Sequence, residues 1–235
     1  MLNFVNDFFN KKYIPLNKIE ISSKNLKANY KYLSSLNSKV KIAPVLKSNA
    51  YGHGLVEVAK VLDELDCPMF CVDSLYEAYR LLNASVKTQI LVMGYIHPTS
   101  LKVKKLPFSY AVSAVEQLEV LNKYQKGAKV HLKIDTGMHR LGIPHEEFAL
   151  FVKNLNKYKN VVVEGLMSHL AYQNDSKNKL TKNQIKNFSK ALVVCRQNGI
   201  NPKWVHIAAS SSTLSQKSTN ITQIANMARV GIGLY

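Results

Sequence analysis

Lys47 closes the segment KIAPVLK, part of an apolar run that begins at Val40 and reads as a buried strand. The chain then turns at once through Ser, Asn, Ala, Tyr, Gly, His and Gly. An ammonium at the end of a core strand is costly unless it has a task. Desolvation there lowers a lysine's pKa and frees its amine as a nucleophile, and its product with a carbonyl is a Schiff base. A second lysine raises the same question. In KVHLKIDTG, residues Val130, Leu132 and Ile134 share one face of a strand and His131, Lys133 and Asp135 share the other. With the apolar face turned to helices, Lys133 points inward, and Asp135 is the simplest partner for it. Arg140 follows in TGMHRLG and suits recognition of a carboxylate or phosphate. Further along, HIAASSS and RVGIG offer hydroxyls and glycine amides of the kind that cradle phosphate. If the carbonyl met by Lys47 is the aldehyde of pyridoxal 5′-phosphate, these two segments supply the phosphate site.

The elements that must position these groups are eight short apolar runs, at 40–47, 67–74, 89–95, 109–114, 129–137, 161–170, 204–211 and 228–235. Most intervals between them read as helices, among them LVEVAKVLDEL, SLYEAYRLLN, AVEQLEVLNKY and HEEFALFVKNL. Alternating strand and helix imply a parallel sheet. Eight units in 235 residues favour a closed (β/α)8 TIM-type barrel over an open sheet. Chemistry gathers at the C-terminal strand ends of such barrels. Here those ends are Lys47, Asp73-Ser74, Tyr95, Ser113, Asp135-Thr136, His169, Ser210 and Gly231. The segment KIEIS (18–22) is placed outside the barrel, before a helix with apolar positions Leu26, Tyr30 and Leu33. Residues 1–15 read as a short helix or arm. Residues 176–187 are polar, but Leu180, Gln184, Phe188 and Leu192 stand at helical spacing, so the segment reads as a loop running into a helix that stops at Gly199.

The net charge of +17 is spread along the whole chain, with lysines often beside Asn. That pattern describes a basic surface and argues against a nucleic-acid interface. No run approaches the roughly 18 apolar residues of a membrane span, and the N-terminus lacks the order of a signal peptide. Three cysteines, Cys67, Cys71 and Cys195, fit buried thiols in the cytoplasm better than a disulfide framework. No metal site is expected, because the histidines lack acids at ligand spacing. His53, His131 and His206 read as structural.

The segment LKSNAYGHG resembles the pyridoxal-phosphate lysine motif of the alanine racemase family. KIDTGMHRLG, MSHLA, IAASSS and NMARVGIGLY are similar to that family's later blocks, in the same order, so the resemblance runs to Tyr235. It implies a pyridoxal-phosphate enzyme of fold type III that interconverts L- and D-alanine and so supplies D-alanine for peptidoglycan. Residues 1–235 would form its N-terminal barrel. The resemblance makes Lys47 the cofactor-holding lysine and one of two catalytic bases, and sets Tyr51 near the cofactor phosphate. Arg140 would orient the cofactor's phenolate oxygen and the substrate carboxylate. His169 would position Arg229, which would face the pyridine nitrogen. Ser210, Gly231 and Ile232 would bind the phosphate. Lys133 matches a lysine that is often carbamylated in the family, and a carbamate there could hold Arg140. Ala209 departs from the family, where Asn is common. Family members continue past Tyr235 into a β-rich domain that supplies the second base, a tyrosine, to the partner subunit. That domain is expected to be absent from these residues. A homodimer is implied for the full-length protein, and little or no activity for this chain alone. The competing reading is a non-enzymatic, single-domain pyridoxal-phosphate carrier on the same barrel.

Overall fold

Each of the eight apolar runs coincides with a parallel strand, the fifth and eighth strands starting one residue earlier than their runs. In the computed structural model, which describes residues 19–172, 178–215, 221 and 223–235, these are β1 (Lys41–Pro44), β2 (Phe70–Val72), β3 (Ile90–Val92), β4 (Ser109–Val112), β5 (Ala128–Asp135), β6 (Val161–Met167), β7 (Trp204–His206) and β8 (Met227–Val230). Strands β2 to β7 pair in sequence order. β1 pairs with β8 from Lys41↔Met227 to Pro44↔Val230. Backbone bonds close the ring: Leu46 N–H donates to Cys71 O at 2.8 Å, and Arg229 N–H to Ala208 O at 3.0 Å. The result is the expected (β/α)8 barrel. A two-residue strand, Ile143–Pro144, lies beside the end of β5.

The helices are α1 (Ser23–Ser35), α2 (Leu55–Leu62), α3 (Leu75–Asn83), α4 (Val115–Tyr124), α5 (Phe148–Asn154), α6 (Lys179–Gln197) and α7 (Ser210–Leu214). Their starts follow local chemistry. Ser74 and Glu77 form a reciprocal capping box on α3, and Ser22 Oγ accepts from Asn25 N–H to open α1. The β3–β4 connection holds a 3-10 turn at Pro98–Lys102. The helix before Gly199 starts at Lys179, capped by Asn178, just before Leu180, the first residue of its apolar spacing. Residues 1–15, 173–177 and Lys18 lie outside the described residues. The described part of KIEIS, 19–22, is irregular and lies outside the barrel. Among the described residues no helix is long and apolar enough to cross a membrane.

The main core lies between strands and helices and includes Leu33, Ile42, Leu46, Phe70, Tyr110, Phe148 and Phe188. A second cluster, Ala43, Val45, Met69, Cys71, Leu91 and Met227, is built from β1, β2, β3 and β8. Across from it, β5, β6 and β7 present Lys129, His131, Lys133, Glu164 and His206, which bond to one another or line the cavity at the mouth. The barrel interior is therefore apolar on one side and polar on the other.

Gly94, just after β3, sits against the backbone of Asp73, whose carbonyl a methyl group at that site would overlap. Backbone cannot yield as a side chain can. Gly94→Ala should therefore cost about 1–3 kcal/mol, read as a lower midpoint in urea unfolding with an unchanged slope. A neutral effect would mean that β2 and β3 do not approach this closely.

Candidate active site

The turn after β1 is a left-handed one. Ser48, Asn49 and Ala50 have φ of 55, 55 and 54° with ψ of 50, 44 and 50°, and Tyr51 has φ 54°. Each such non-glycine residue costs about 1–2 kcal/mol, so the surroundings must hold it. Glu77 does so from α3, with Oε1 accepting from Ser48 N–H at 2.7 Å. Asn49 Oδ1 accepts from Leu55 N–H at 3.0 Å, and Gly54 N–H donates to Asn49 O at 2.9 Å. His53 Nδ1 lies 2.9 Å from Ala50 O. The Asn, His and Gly of the motif thus brace a strained turn that delivers Lys47 and Tyr51 to one place.

That place is a cavity of about 490 Å³ at the C-terminal mouth of the barrel, lined by Lys47, Tyr51, Asp73, Lys133, Arg140, His169, Ser210, Arg229, Gly231 and Ile232, with Met93, Leu141 and Met167 among its apolar walls. Every site residue expected from the sequence is in that set. Four of the lining residues are cationic and one, Asp73, is acidic, so the cavity is built for anionic groups.

Arg229 is its most constrained member, at 4% exposure. Nη1 donates to His206 Nδ1 and, at 3.1 Å, to His206 O. Nη2 donates to Ser168 O at 2.6 Å and to His169 Nδ1 at 3.2 Å. All four acceptors are neutral. A guanidinium has five N–H donors, and among the described residues the fifth, on Nε, meets no protein acceptor. Burial lowers the Arg229 pKa to about 10, which leaves it charged at neutral pH. Burial and then the charge of Arg229 push His169 down to about 3, so its ring is neutral and can accept.

Lys133 is half-buried, and the acceptor it reaches is Met93 O at 3.4 Å. Asp135 does not pair with it. The Asp135 carboxylate turns to the following loop and accepts from the N–H groups of Gly137, Met138 and His139, because a strand-end Asp finds three loop amides closer than an inward ammonium. Left without that partner, Lys133 falls to about 8, first through burial and then through Arg229 and Arg140.

The phosphate segment differs in detail from expectation. Ser210 Oγ accepts from Gly231 N–H and Gly233 N–H, both at 3.2 Å. The Gly231 amide is thus engaged within the protein, and the Ser210 hydroxyl proton is free to point elsewhere. Tyr51 packs so closely over Gly231 that any side chain there would overlap its ring. Other strand ends serve the scaffold. Ser74 caps α3, Ser113 bonds to Gln117, Thr136 bonds to Ser168 Oγ at 2.9 Å, and Tyr95 lies outside the cavity lining. Sequence reasoning missed His206, which sits directly behind Arg229. The alternation of WVHIAASS, which turns His206 to the side opposite Val205, was the available signal.

Residues 21–235 match the family described as alanine racemase, N-terminal domain. The chain is 34% identical over 202 residues to alanine racemase of Geobacter sulfurreducens, covering 83% of this chain and 52% of that one. It is 33% identical over 225 residues to alanine racemase of Methanococcus maripaludis, covering 92% and 59%. Among solved structures it resembles alanine racemase from Bacillus anthracis with bound L-Ala-P, with a TM-score of 0.83, 29% identity and coverage of 94% and 59%. It likewise resembles alanine racemase of Clostridium difficile in complex with cycloserine, with a TM-score of 0.82 and 28% identity. The chain spans about half the length of the curated relatives it matches.

The depressed Lys133 has a signed consequence. Below about 8 both states carry the ammonium, and only the folded state disfavours it. Between about 8 and the ordinary value of 10.5 the unfolded chain binds more protons, so stability rises with pH there. In carbon-dioxide-free buffer, Lys133→Met should be more stable than the parent at pH 7 by about 3 kcal/mol, with the gain nearly gone by pH 10.5. A constant difference across that range would show that Lys133 carries no desolvation penalty.

Proposed function

Because the chain belongs to the alanine racemase family through an N-terminal domain spanning residues 21–235, we propose that the protein it forms interconverts L- and D-alanine with pyridoxal 5′-phosphate held by Lys47. The observation that carries the reading is the cation-rich cavity with one unspent donor on a buried arginine. An acceptor ring atom facing Arg229 Nε would use that donor, and an attached anion would offset the excess charge. Lys47, at the rim on its braced turn, has an amine able to hold an aldehyde. Ser210, with its hydroxyl proton uncommitted, Tyr51 and the Ile232 amide suit the phosphate, with Gly231 providing the close approach. The residues fit the group.

When bound, the cofactor supplies an electron sink for the α-carbon of alanine. The chain's residues set how that sink is used. Lys47 Nζ takes and returns the α-proton on one face. Arg229 donates a hydrogen bond but does not surrender a proton to a weakly basic ring nitrogen, which keeps the sink modest and limits side reactions. Arg140 orients the substrate carboxylate. His169, held neutral, fixes Arg229 by accepting from Nη2. Lys133, with an amine partly neutral near pH 8, can combine with carbon dioxide to give a carbamate and a proton, and the anion would answer Arg140. The second base, on the resemblance, is a tyrosine of a partner subunit. Exposed Leu141 and Ile232 on the cavity rim suit contact with such a partner, and so a homodimer. Free thiols at Cys67, Cys71 and Cys195 suit the cytoplasm. The likenesses give the non-enzymatic carrier reading no support.

Two outcomes test this reading. Borohydride added after pyridoxal phosphate should fix the cofactor on the peptide containing Lys47, and Lys47→Ala should lose the label. A label on Lys133 would reverse the two lysines' roles. In the full-length protein, α-proton exchange of alanine in D₂O should fall at least 10²–10⁴-fold in Lys47→Ala, about the loss expected for one acid–base group. Exchange unaffected by that change would exclude Lys47 as a base.

A further inference from the structure

The bonds behind Arg229 continue through the barrel. His206, whose Nδ1 accepts from Arg229, has its Nε2 2.8 Å from His131 Nδ1. His131 Nε2 lies 3.4 Å from Glu164 Oε2. Glu164 Oε2 also accepts from Gln89 Nε2 at 2.7 Å and Ser109 Oγ at 3.1 Å, while Oε1 meets Lys129 Nζ at 3.1 Å. Ser109 and Lys129 stand at the starts of β4 and β5 and Gln89 just before β3, so Glu164 belongs to the end of the barrel opposite the cavity. Both imidazoles are fully buried. Gly165 leaves the space His131 fills, since a methyl group there would overlap its ring.

Donor and acceptor roles in this chain are set from its two ends. Arginine only donates, so His206 Nδ1 must be bare. A neutral His206 then carries its proton on Nε2 and gives it to His131 Nδ1. His131 in turn carries its proton on Nε2, facing Glu164. Burial holds both rings neutral. The chain closes only on a group that accepts at both oxygens, because donors meet each of them.

We propose that Glu164 is a positioning residue for Arg229, acting through His131 and His206. Its carboxylate accepts at the far end of the chain and, with Arg229 donating at the near end, holds both rings as the Nε2–H tautomer, which keeps Nη1 of Arg229 bonded into the barrel and leaves Nε–H for whatever occupies the cavity. The inference rests on the racemase reading only for what that N–H meets. A glutamine in place of Glu164 would set an NH₂ against Lys129 or against His131, Gln89 and Ser109. Where the NH₂ faces Lys129, that half-exposed side chain can turn to solvent and the rings keep their tautomers; where it faces His131, that ring must reverse its tautomer, and His206 after it, which turns an N–H toward Arg229.

The test is ¹⁵N NMR of the histidine rings in cofactor-free protein at pH 7, in the parent and in Glu164→Gln. The parent should show both His131 and His206 as single Nε2–H tautomers, and the variant should show a mixture at both. An Nδ1–H or imidazolium form of either ring in the parent overturns the proposal. If Glu164→Gln leaves the tautomers unchanged or does not fold, Glu164→Asp decides. Its shorter carboxylate withdraws from His131, so mixed tautomers are expected and unchanged ones overturn the idea. In the cofactor-loaded full-length protein, the folded variant should slow alanine α-proton exchange about tenfold with borohydride labelling of Lys47 intact. Loss of labelling in the parent would count against the racemase reading and leave the ring result standing.

Discussion

A guanidinium buried among neutral acceptors is the constraint on which the site depends. Arg229 could be stabilised by a carboxylate, as most buried arginines are, but its four satisfied N–H groups go to two imidazole nitrogens and two carbonyls. Its charge is therefore not cancelled by its nearest partners. Burial first, and then that charge, depress His169, His206 and Lys133, and the arrangement leaves one donor unspent. An ion pair at the same place would have removed both effects.

The barrel is arranged to afford this. One side of its interior is filled by small and apolar groups from β1, β2, β3 and β8, with Cys71 among them, its thiol pushed by burial to about 12 and so inert. The other side carries the polar chain from β5, β6 and β7. Packing against the apolar side fixes where the polar side can sit, and Gly165 supplies the space for a ring that would otherwise not fit. At the mouth, the left-handed turn at Ser48–Tyr51 is held by Glu77, itself half of the α3 capping box. The lysine of the first strand is thus tied to the helix after the second.

Much of this could be read from the chain alone. The eight strands, Lys47 and His169 at strand ends, and the cluster of functional groups there follow from apolar runs and alternation, whereas Arg229 was marked only by the family resemblance. What could not be read depends on register between distant strands. Asp135 has an inward parity but spends its oxygens on loop amides, which only the path of residues 137–139 reveals. His131 and His206 look like ordinary core histidines until β5, β6 and β7 are in register. The Gly231 amide was assigned to a ligand, yet Ser210 Oγ already accepts it. The four left-handed residues carry no glycine, so turn propensity gives no hint of them.

The central claim is that Arg229 offers a hydrogen bond from a group that keeps its proton. The measurement that meets it most directly is the ¹⁵N chemical shift of ring-labelled pyridoxal phosphate bound at Lys47. An unprotonated, hydrogen-bonded ring nitrogen that becomes unbonded in Arg229→Leu is the result this account predicts. A pyridinium nitrogen in the parent protein would contradict it, because the proton would then have come from an acid that Arg229 is not.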